Sequence, residues 1–313
     1  MKLIGRDKEL SIIDDCIAVH EMELGPEGSP IGKFFIAGPT GCGKTRTAEY
    51  VAWRLHGNPR AIVRIDCGEF QLEHEVARLI GAPPGYIGHK ETSPLLTQQR
   101  LNNATSGRSR ISVVVFDEIE KAAGSLNRLL LGIMDKAVLR LGDNTVINFE
   151  NSILFFTSNL GTRDLFEVNR YEIGQNTKRR NTDSGVREAI KKHFAPEFIN
   201  RLDSIFVYSA LTEDECLEVV RAELDAFCAV TMERHRGSTV IWDASLCDAI
   251  LERGFSQEYG GRNLKRAIYR EVIVPLAKWG KANKLNYLTG ENLVLSWENG
   301  LVIDRARKAG AKE

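Results

Sequence analysis

An excess of either charge is missing from this chain. Over 313 residues, 42 lysines and arginines face 42 aspartates and glutamates, for a formal net charge of zero. No global field therefore recruits nucleic acid or an anionic membrane, and the basic cluster Arg305-Ala306-Arg307-Lys308 reads as a solvated tail. Long apolar runs are missing too. Val113-Val114-Val115-Phe116 is far too short to span a bilayer, and Met1 to Asp7 lacks the apolar stretch of a secretion signal, so a cytoplasmic protein with no membrane partner is expected. Paired cysteines are the third absence. Cys16, Cys42, Cys67, Cys216, Cys228 and Cys247 form no C-x-x-C pair and no cysteine-histidine cluster, which excludes a zinc ribbon and leaves reduced thiols. Internal repeats and low-complexity tracts are lacking as well. A composition 43% apolar and 27% charged is ordinary for a globular chain of this length, and two subdomains are expected.

The chain does contain Gly38-Pro39-Thr40-Gly41-Cys42-Gly43-Lys44-Thr45, a complete G-x-x-x-x-G-K-[ST] loop between a strand-like and a helical segment. Lys33 to Ala37 is a short apolar run. From Lys44 the apolar positions Ala48, Val51, Ala52 and Leu55 follow helical spacing until Gly57. In such a loop glycines let backbone N–H groups turn inward around a triphosphate, and the helix N-terminus adds partial positive charge. Lys44 reaches the terminal phosphates, and the Thr45 hydroxyl ligates Mg²⁺. ATP and Mg²⁺ are the expected ligands; the competing reading is a glycine-rich turn with none. Cys42 reads as a small loop residue, with redox blockade of the site as the alternative.

Five strand-like segments, Lys33–Ala37, Ala61–Ile65, Ser112–Phe116, Ser152–Thr157 and Ile205–Tyr208, alternate with helical patterns. Apolar strands in that alternation predict an α/β fold, a five-stranded parallel sheet flanked by helices, with ligand chemistry at the strands' carboxyl ends. After Tyr208 the pattern turns mainly helical. It opens at a Thr212/Glu215 capping box, continues through a helix from Asp243 and another past Arg270 that Pro275 should kink, and ends in a β-hairpin spanning Asn292 to Ile303. Residues 1–208 are thus expected to form a nucleotide-binding subdomain and 209–313 a smaller lid. The stretch Asn169 to Gly185, polar throughout, reads as a mobile loop.

Val113 to Phe116 delivers Asp117 and Glu118 to a strand end. Asp117 suits the Mg²⁺ water shell, and Glu118 suits deprotonation of an attacking water. The next strand ends at Asn159, placed to hydrogen-bond that water or the terminal phosphate; the bland alternative is a turn asparagine.

These residues sit in longer stretches, Ile65-Asp66-Cys67-Gly68-Glu69-Phe70, Leu79 to Gly88, Phe116-Asp117-Glu118-Ile119-Glu120-Lys121-Ala122, Thr157-Ser158-Asn159-Leu160-Gly161, Pro196 to Asp203 and Gly260-Gly261-Arg262-Asn263-Leu264. Together they resemble the second ATPase domain of the Clp-type AAA+ unfoldases (ClpA, ClpB and ClpC) over nearly the whole chain. The resemblance implies a ring, usually a hexamer, acting on protein substrates either directly or through an adaptor. It implies that Arg201 is an arginine finger reaching a neighbouring subunit's site and that Arg262 is a second sensor in the lid; the competing reading of either arginine is a structural ion pair. Gly85-Tyr86-Ile87-Gly88 resembles the pore loop that grips a threaded polypeptide. Its chemistry suits gripping, since the glycines free the backbone while Tyr86 offers a rigid amphipathic face.

Elsewhere the chain departs from that pattern. It is longer between Gly88 and Ile111, with Glu91-Thr92-Ser93-Pro94 in place of a glycine pair. Asp135 to Phe149 lacks the glycine-rich composition of the family's secondary pore hairpin, so a second gripping site is not expected. Ile173-Gly174-Gln175 replaces the apolar tripeptide that docks on the ClpP peptidase; burying that amide costs roughly 1–3 kcal/mol, and ClpP docking is not expected. The recruitment, first ATPase and middle domains of larger relatives have no counterpart in these residues, so either a piece of a longer protein or a stand-alone single-ring machine is expected. Two other classes share the nucleotide site: a nucleic-acid-remodelling AAA+ protein, for which no basic stripe is present, and an ATP-gated scaffold with slow hydrolysis.

Overall fold

The computed structural model describes residues 1–81, 94–162, 178–256, 260–283, 285, 288 and 290–305, with side chains of 178–182 left aside. The chain divides into two compact units.

The larger unit, Arg6–Pro39 with Gly43–Ser209, is built on five parallel strands. They are β1 (Gly32–Ala37), β2 (Ile62–Asp66), β3 (Ser112–Asp117), β6 (Ser152–Ser158) and β7 (Ser204–Val207), in the order β2-β3-β6-β1-β7. Every residue of β3 and β6 is buried, whereas the β2 edge alternates, with Val63 and Ile65 inside and Arg64 and Asp66 outside. The apolar runs therefore occupy the middle of the sheet, where both faces are covered. Phe116 stacks on Phe156 at 5.3 Å, and Phe198 meets Phe156 edge-on at 5.5 Å, binding the sheet to the chain that follows β6. The expected α/β sheet is the one observed.

Helices α1 (Asp7–Glu21), α2 (Lys44–His56), α3 (Val76–Ile80), α4 (Gln98–Asn103), α5 (Gly124–Lys136), α6 (Lys178–His193) and α7 (Pro196–Ile199) complete this unit. Helix α2 ends where expected, at Gly57 with φ 72°, a conformation that accommodates glycine without a Cβ penalty. One expectation needs correction. Part of the stretch read as a mobile loop, Lys178 to Gly185, is the first half of α6; Val186, Ile190 and Phe194, spaced by four, bury a stripe that anchors it. The remainder of that stretch, with Ile173-Gly174-Gln175, lies outside the described residues. The segment after α5 does form a hairpin, β4 (Val138–Arg140) with β5 (Val146–Asn148), although glycine is scarce there. Leu139 and Ile147 point inward while their neighbours alternate outward, and Asn144 supplies the left-handed turn residue at φ 69°.

The smaller unit comprises Met1–Gly5, Thr40–Cys42 and the chain from Ala210 onward. Its first helix, α8 (Glu213–Arg234), carries the expected capping box: Glu215 N–H donates to Thr212 Oγ1 at 3.2 Å, and Thr212 N–H to Glu215 Oε2 at 2.8 Å. Helix α9 (Ala244–Gly254) is capped by Asp243. The long helical stretch that follows is α10 (Gly260–Ile268), a π-helical turn over Tyr269–Ile273, and α11 (Val274–Ala282). The irregularity expected from Pro275 takes the form of that wide turn, which sits where the proline ring would press on the carbonyl of residue 271. The closing hairpin, β9 (Asn292–Trp297) and β10 (Leu301–Arg305), is present and gains a third strand, β8 (Thr239–Trp242), parallel to β9. Leu224, Ile250, Leu264, Val272 and Leu295 are the centre of this unit's own core. Among the described residues no helix is long and apolar enough to cross a membrane.

Candidate active site

Sheet register brings the candidate residues of the larger unit together. β6 lies between β3 and β1, with Phe116 opposite Phe156 and Ala37 opposite Ser158. The loop after β1, the acidic turn after β3 and Asn159 after β6 therefore emerge side by side at the carboxyl ends of the three central strands, where open α/β folds bind ligands.

The loop leaves β1 with Gly38 N–H donating to the Ser158 carbonyl at 3.2 Å. Gly41 and Gly43 have φ of 80° and 100°, values that side chains resist, so glycine is required at both. Helix α2 then starts at Lys44 with no side chain capping its first turn, which leaves N–H groups and partial positive charge at the loop's end. Lys44 Nζ donates to the Gly38 carbonyl at 2.6 Å, the Pro39 carbonyl at 2.9 Å and Asn159 Oδ1 at 2.8 Å. Asn159 is thus joined to the loop lysine. Thr45 is half-buried one residue on, while Cys42 is buried.

Asp117 is 8% exposed and held from two sides. The Thr157 hydroxyl donates to its Oδ1 and the Arg64 guanidinium to its Oδ2. Thr157 Oγ1 also accepts the Glu118 N–H at 3.2 Å, so one hydroxyl fixes both acidic residues. Glu118 adopts φ 54° and ψ 47°, an uncommon left-handed conformation for a non-glycine residue and one that marks a specialised turn. Lys121, three residues on, donates to Glu118 Oε2, and that hydrogen bond leads the causes that raise the lysine's pKa. Next to this turn burial pushes the Cys67 thiol far up, helped by the negative charges of Asp66, Asp117, Glu120 and Glu118. The thiol stays protonated and inert among four carboxylates.

Arg64, Lys121, Thr157 and Glu120 escape a reading of the sequence because their contacts depend on strand register and turn shape. An arginine on an edge strand whose neighbour ends in Asp-Glu is the one available signal. Arg201 lies elsewhere: its Nε donates to Asp135 Oδ1 at the end of α5, and its Nη1 to the Glu197 carbonyl at 2.7 Å. Arg262 is exposed on the first turn of α10, in the smaller unit. Gly85, Tyr86, Ile87 and Gly88 lie outside the described residues.

The strand order, the glycine loop and the acidic turn define a phosphate-loop nucleotide hydrolase fold. Residues 29–205 match the family model described as AAA domain (Cdc48 subfamily), and residues 211–287 match that of the C-terminal, D2-small domain, of ClpB protein. The chain belongs to the Clp-type AAA+ ATPase domains. Among curated relatives it is similar to the chaperone protein ClpB of Bdellovibrio bacteriovorus, at 35% identity over 277 residues covering 88% of this chain and 30% of that protein. It is also similar to ClpB of Wolinella succinogenes, at 34% identity over 97% of this chain and 33% of that protein. The chain thus spans about a third of the length of these curated relatives. A solved structure described as a closed-state cryoEM reconstruction of Hsp104:ATPyS and FITC casein shares the fold, with a TM-score of 0.78 at 24% identity, over 96% of this chain and 49% of that one.

Proposed function

We propose that this chain hydrolyses ATP with Mg²⁺ at the site built on β1, β3 and β6 and uses the energy to unfold or remodel proteins, as a ring of identical subunits. The observation that carries the reading is the meeting of Lys44, Asn159, Asp117 and Glu118 at the carboxyl ends of the central strands, joined by hydrogen bonds. The residues fit the ligands. Uncapped N–H groups at the start of α2 and the Lys44 ammonium suit phosphate oxygens, and Thr45 with Asp117 offers the hard oxygen donors that Mg²⁺ prefers. When bound, Mg²⁺ neutralises charge on the phosphates. Lys44 orients the terminal phosphates, Glu118 takes a proton from the attacking water at its carboxylate, and Asn159 holds that water or the γ-phosphate.

In this reading Gly38 to Thr45 form the cradle. Arg201 exchanges Asp135 for a neighbouring subunit's nucleotide, and Arg262 reads the γ-phosphate from the lid. Residues 1–208 and 209–313 act as the two halves of one ATPase domain, working in the cytoplasm. Tyr86, with Gly85, Ile87 and Gly88, grips the threaded chain. Similarity to ClpB proteins, named as chaperones, favours a protein substrate over nucleic acid or a static scaffold.

The test pairs two substitutions. Glu118→Gln should bind ATP and abolish turnover, whereas Tyr86→Ala should hydrolyse ATP normally and fail to unfold a labelled protein. Wild-type turnover in Glu118→Gln, or undiminished unfolding by Tyr86→Ala, defeats the corresponding half of the proposal.

A further inference from the structure

The acidic turn and the end of β6 are tied in both directions. Glu118 N–H donates across to Thr157 Oγ1 at 3.2 Å, and Asn159 N–H donates back to Glu120 Oε1 at 3.1 Å. The second bond originates two residues beyond Glu118, inside the short 3-10 turn Ile119–Lys121, which is closed by Lys121 N–H to the Glu118 carbonyl at 2.9 Å. Glu120 makes that bond with one oxygen only. Its Oε2 is buried and has no hydrogen-bond partner among the described residues.

A buried carboxylate oxygen left without a hydrogen bond is costly, more so when charged, and a glutamate at this position is therefore unfavourable for stability alone. What the carboxylate does supply is a charged acceptor for the backbone N–H of Asn159, the residue whose Oδ1 receives Lys44. Glu118 and Asn159 follow different strands, β3 and β6, and the acceptor that joins them belongs to the turn carrying Glu118.

We propose that Glu120 is a positioning residue: its carboxylate fixes the Asn159 backbone against the Glu118 turn, setting the separation between the proton-accepting carboxylate and the Asn159–Lys44 pair. The inference rests on the ATPase reading above and deepens it. Displacements of about 1 Å at reacting groups can cost roughly 10²-fold in rate, so a bond of this kind acts on turnover more than on nucleotide affinity.

The experiment uses the intact chain with Glu120→Ala, Glu120→Gln, Asn159→Ala and the Glu120→Ala/Asn159→Ala double variant. Without nucleotide, exchange of the Asn159 amide, followed by NMR, should accelerate at least about tenfold in Glu120→Ala and change little in Glu120→Gln, which keeps an Oε1 acceptor. Glu120→Ala should lower kcat about tenfold with KM within about twofold, Glu120→Gln should recover most of the rate, and the double variant should be no slower than Asn159→Ala. Unchanged exchange in Glu120→Ala overturns the proposal, as do kcat losses that multiply in the double variant. If the wild type itself fails to turn over, the ATPase reading falls, and the exchange measurement still decides whether Glu120 holds Asn159.

Discussion

Replacing Thr157 by valine keeps the shape of a fully buried β6 residue and removes one hydroxyl. That hydroxyl donates to Asp117 Oδ1 and accepts the Glu118 N–H at 3.2 Å. The first is a hydrogen bond to a charged, 8% exposed acceptor, contributing about 1.5–3 kcal/mol, and the second is a neutral one of about 1 kcal/mol. Thr157→Val should therefore destabilise the larger unit by about 2.5–4 kcal/mol. For a unit of this size that is a fall of roughly 5–16 °C in the midpoint of its thermal transition. Thr157→Ser is the control: it keeps both hydrogen bonds and deletes one buried methyl, worth about 1 kcal/mol. Scanning calorimetry supplies the midpoints. Fluorescence of Trp53 isolates this unit once Trp242, Trp279 and Trp297, all in the smaller one, are changed to phenylalanine. The order wild type, serine, valine is the expected outcome. If valine is as stable as the wild type, or serine is the less stable of the two, the hydroxyl does not anchor the acidic turn.

Two further predictions concern assembly and pH. If Arg201 works in a neighbour's site, Arg201→Ala should lose roughly 10³-fold or more of the ATPase rate. Mixing it with Glu118→Gln should restore turnover, because an intact Glu118 from one variant meets an intact Arg201 from the other; mixtures as silent as their components rule out action in trans. His56 is buried on α2, with Nε2 donating to the Ile111 carbonyl at 3.0 Å and Nδ1 accepting from the Ser106 hydroxyl at 2.9 Å. Burial lowers its pKa from 6.5, outweighing the Ile111 bond. The unfolded chain then binds the proton more readily, so this contribution to stability is complete above 6.5 and is lost as pH falls toward the depressed folded value. Urea midpoints measured from about pH 5 to 7.5 should fall on acidification by more in the wild type than in His56→Gln, and equal slopes would contradict the assignment.

Local features of the chain are legible because their determinants are contiguous. The glycine loop, the buried strands β3 and β6, the Thr212/Glu215 capping box and the closing hairpin each show themselves within a few residues. What escapes depends on distant partners. β8 is four residues long, with Ile241 half exposed, and it becomes a strand by lying parallel to β9, some fifty residues later. The polar composition near Lys178 conceals a helix whose anchoring stripe begins at Val186, beyond the polar stretch. At the site, types and order of residues indicate phosphate and Mg²⁺ chemistry, whereas the arrangement of Arg64, Thr157 and Glu120 around the acidic turn follows from Asp66 lying opposite Asp117 and Phe156 opposite Phe116.

The wide turn at Tyr269–Ile273 has a geometric consequence for the smaller unit. Leu264, Ile268, Val272 and Leu276 are all buried, each four residues after the last. On a regular helix, steps of four overshoot one revolution by about 40° apiece, and such a row spirals off its contact surface. The broader winding turns less per residue and cancels part of the overshoot, so a straight apolar seam runs along more than three turns. One anomalous coil thereby acts as a phase corrector, letting a four-residue rhythm serve a single partner face from end to end.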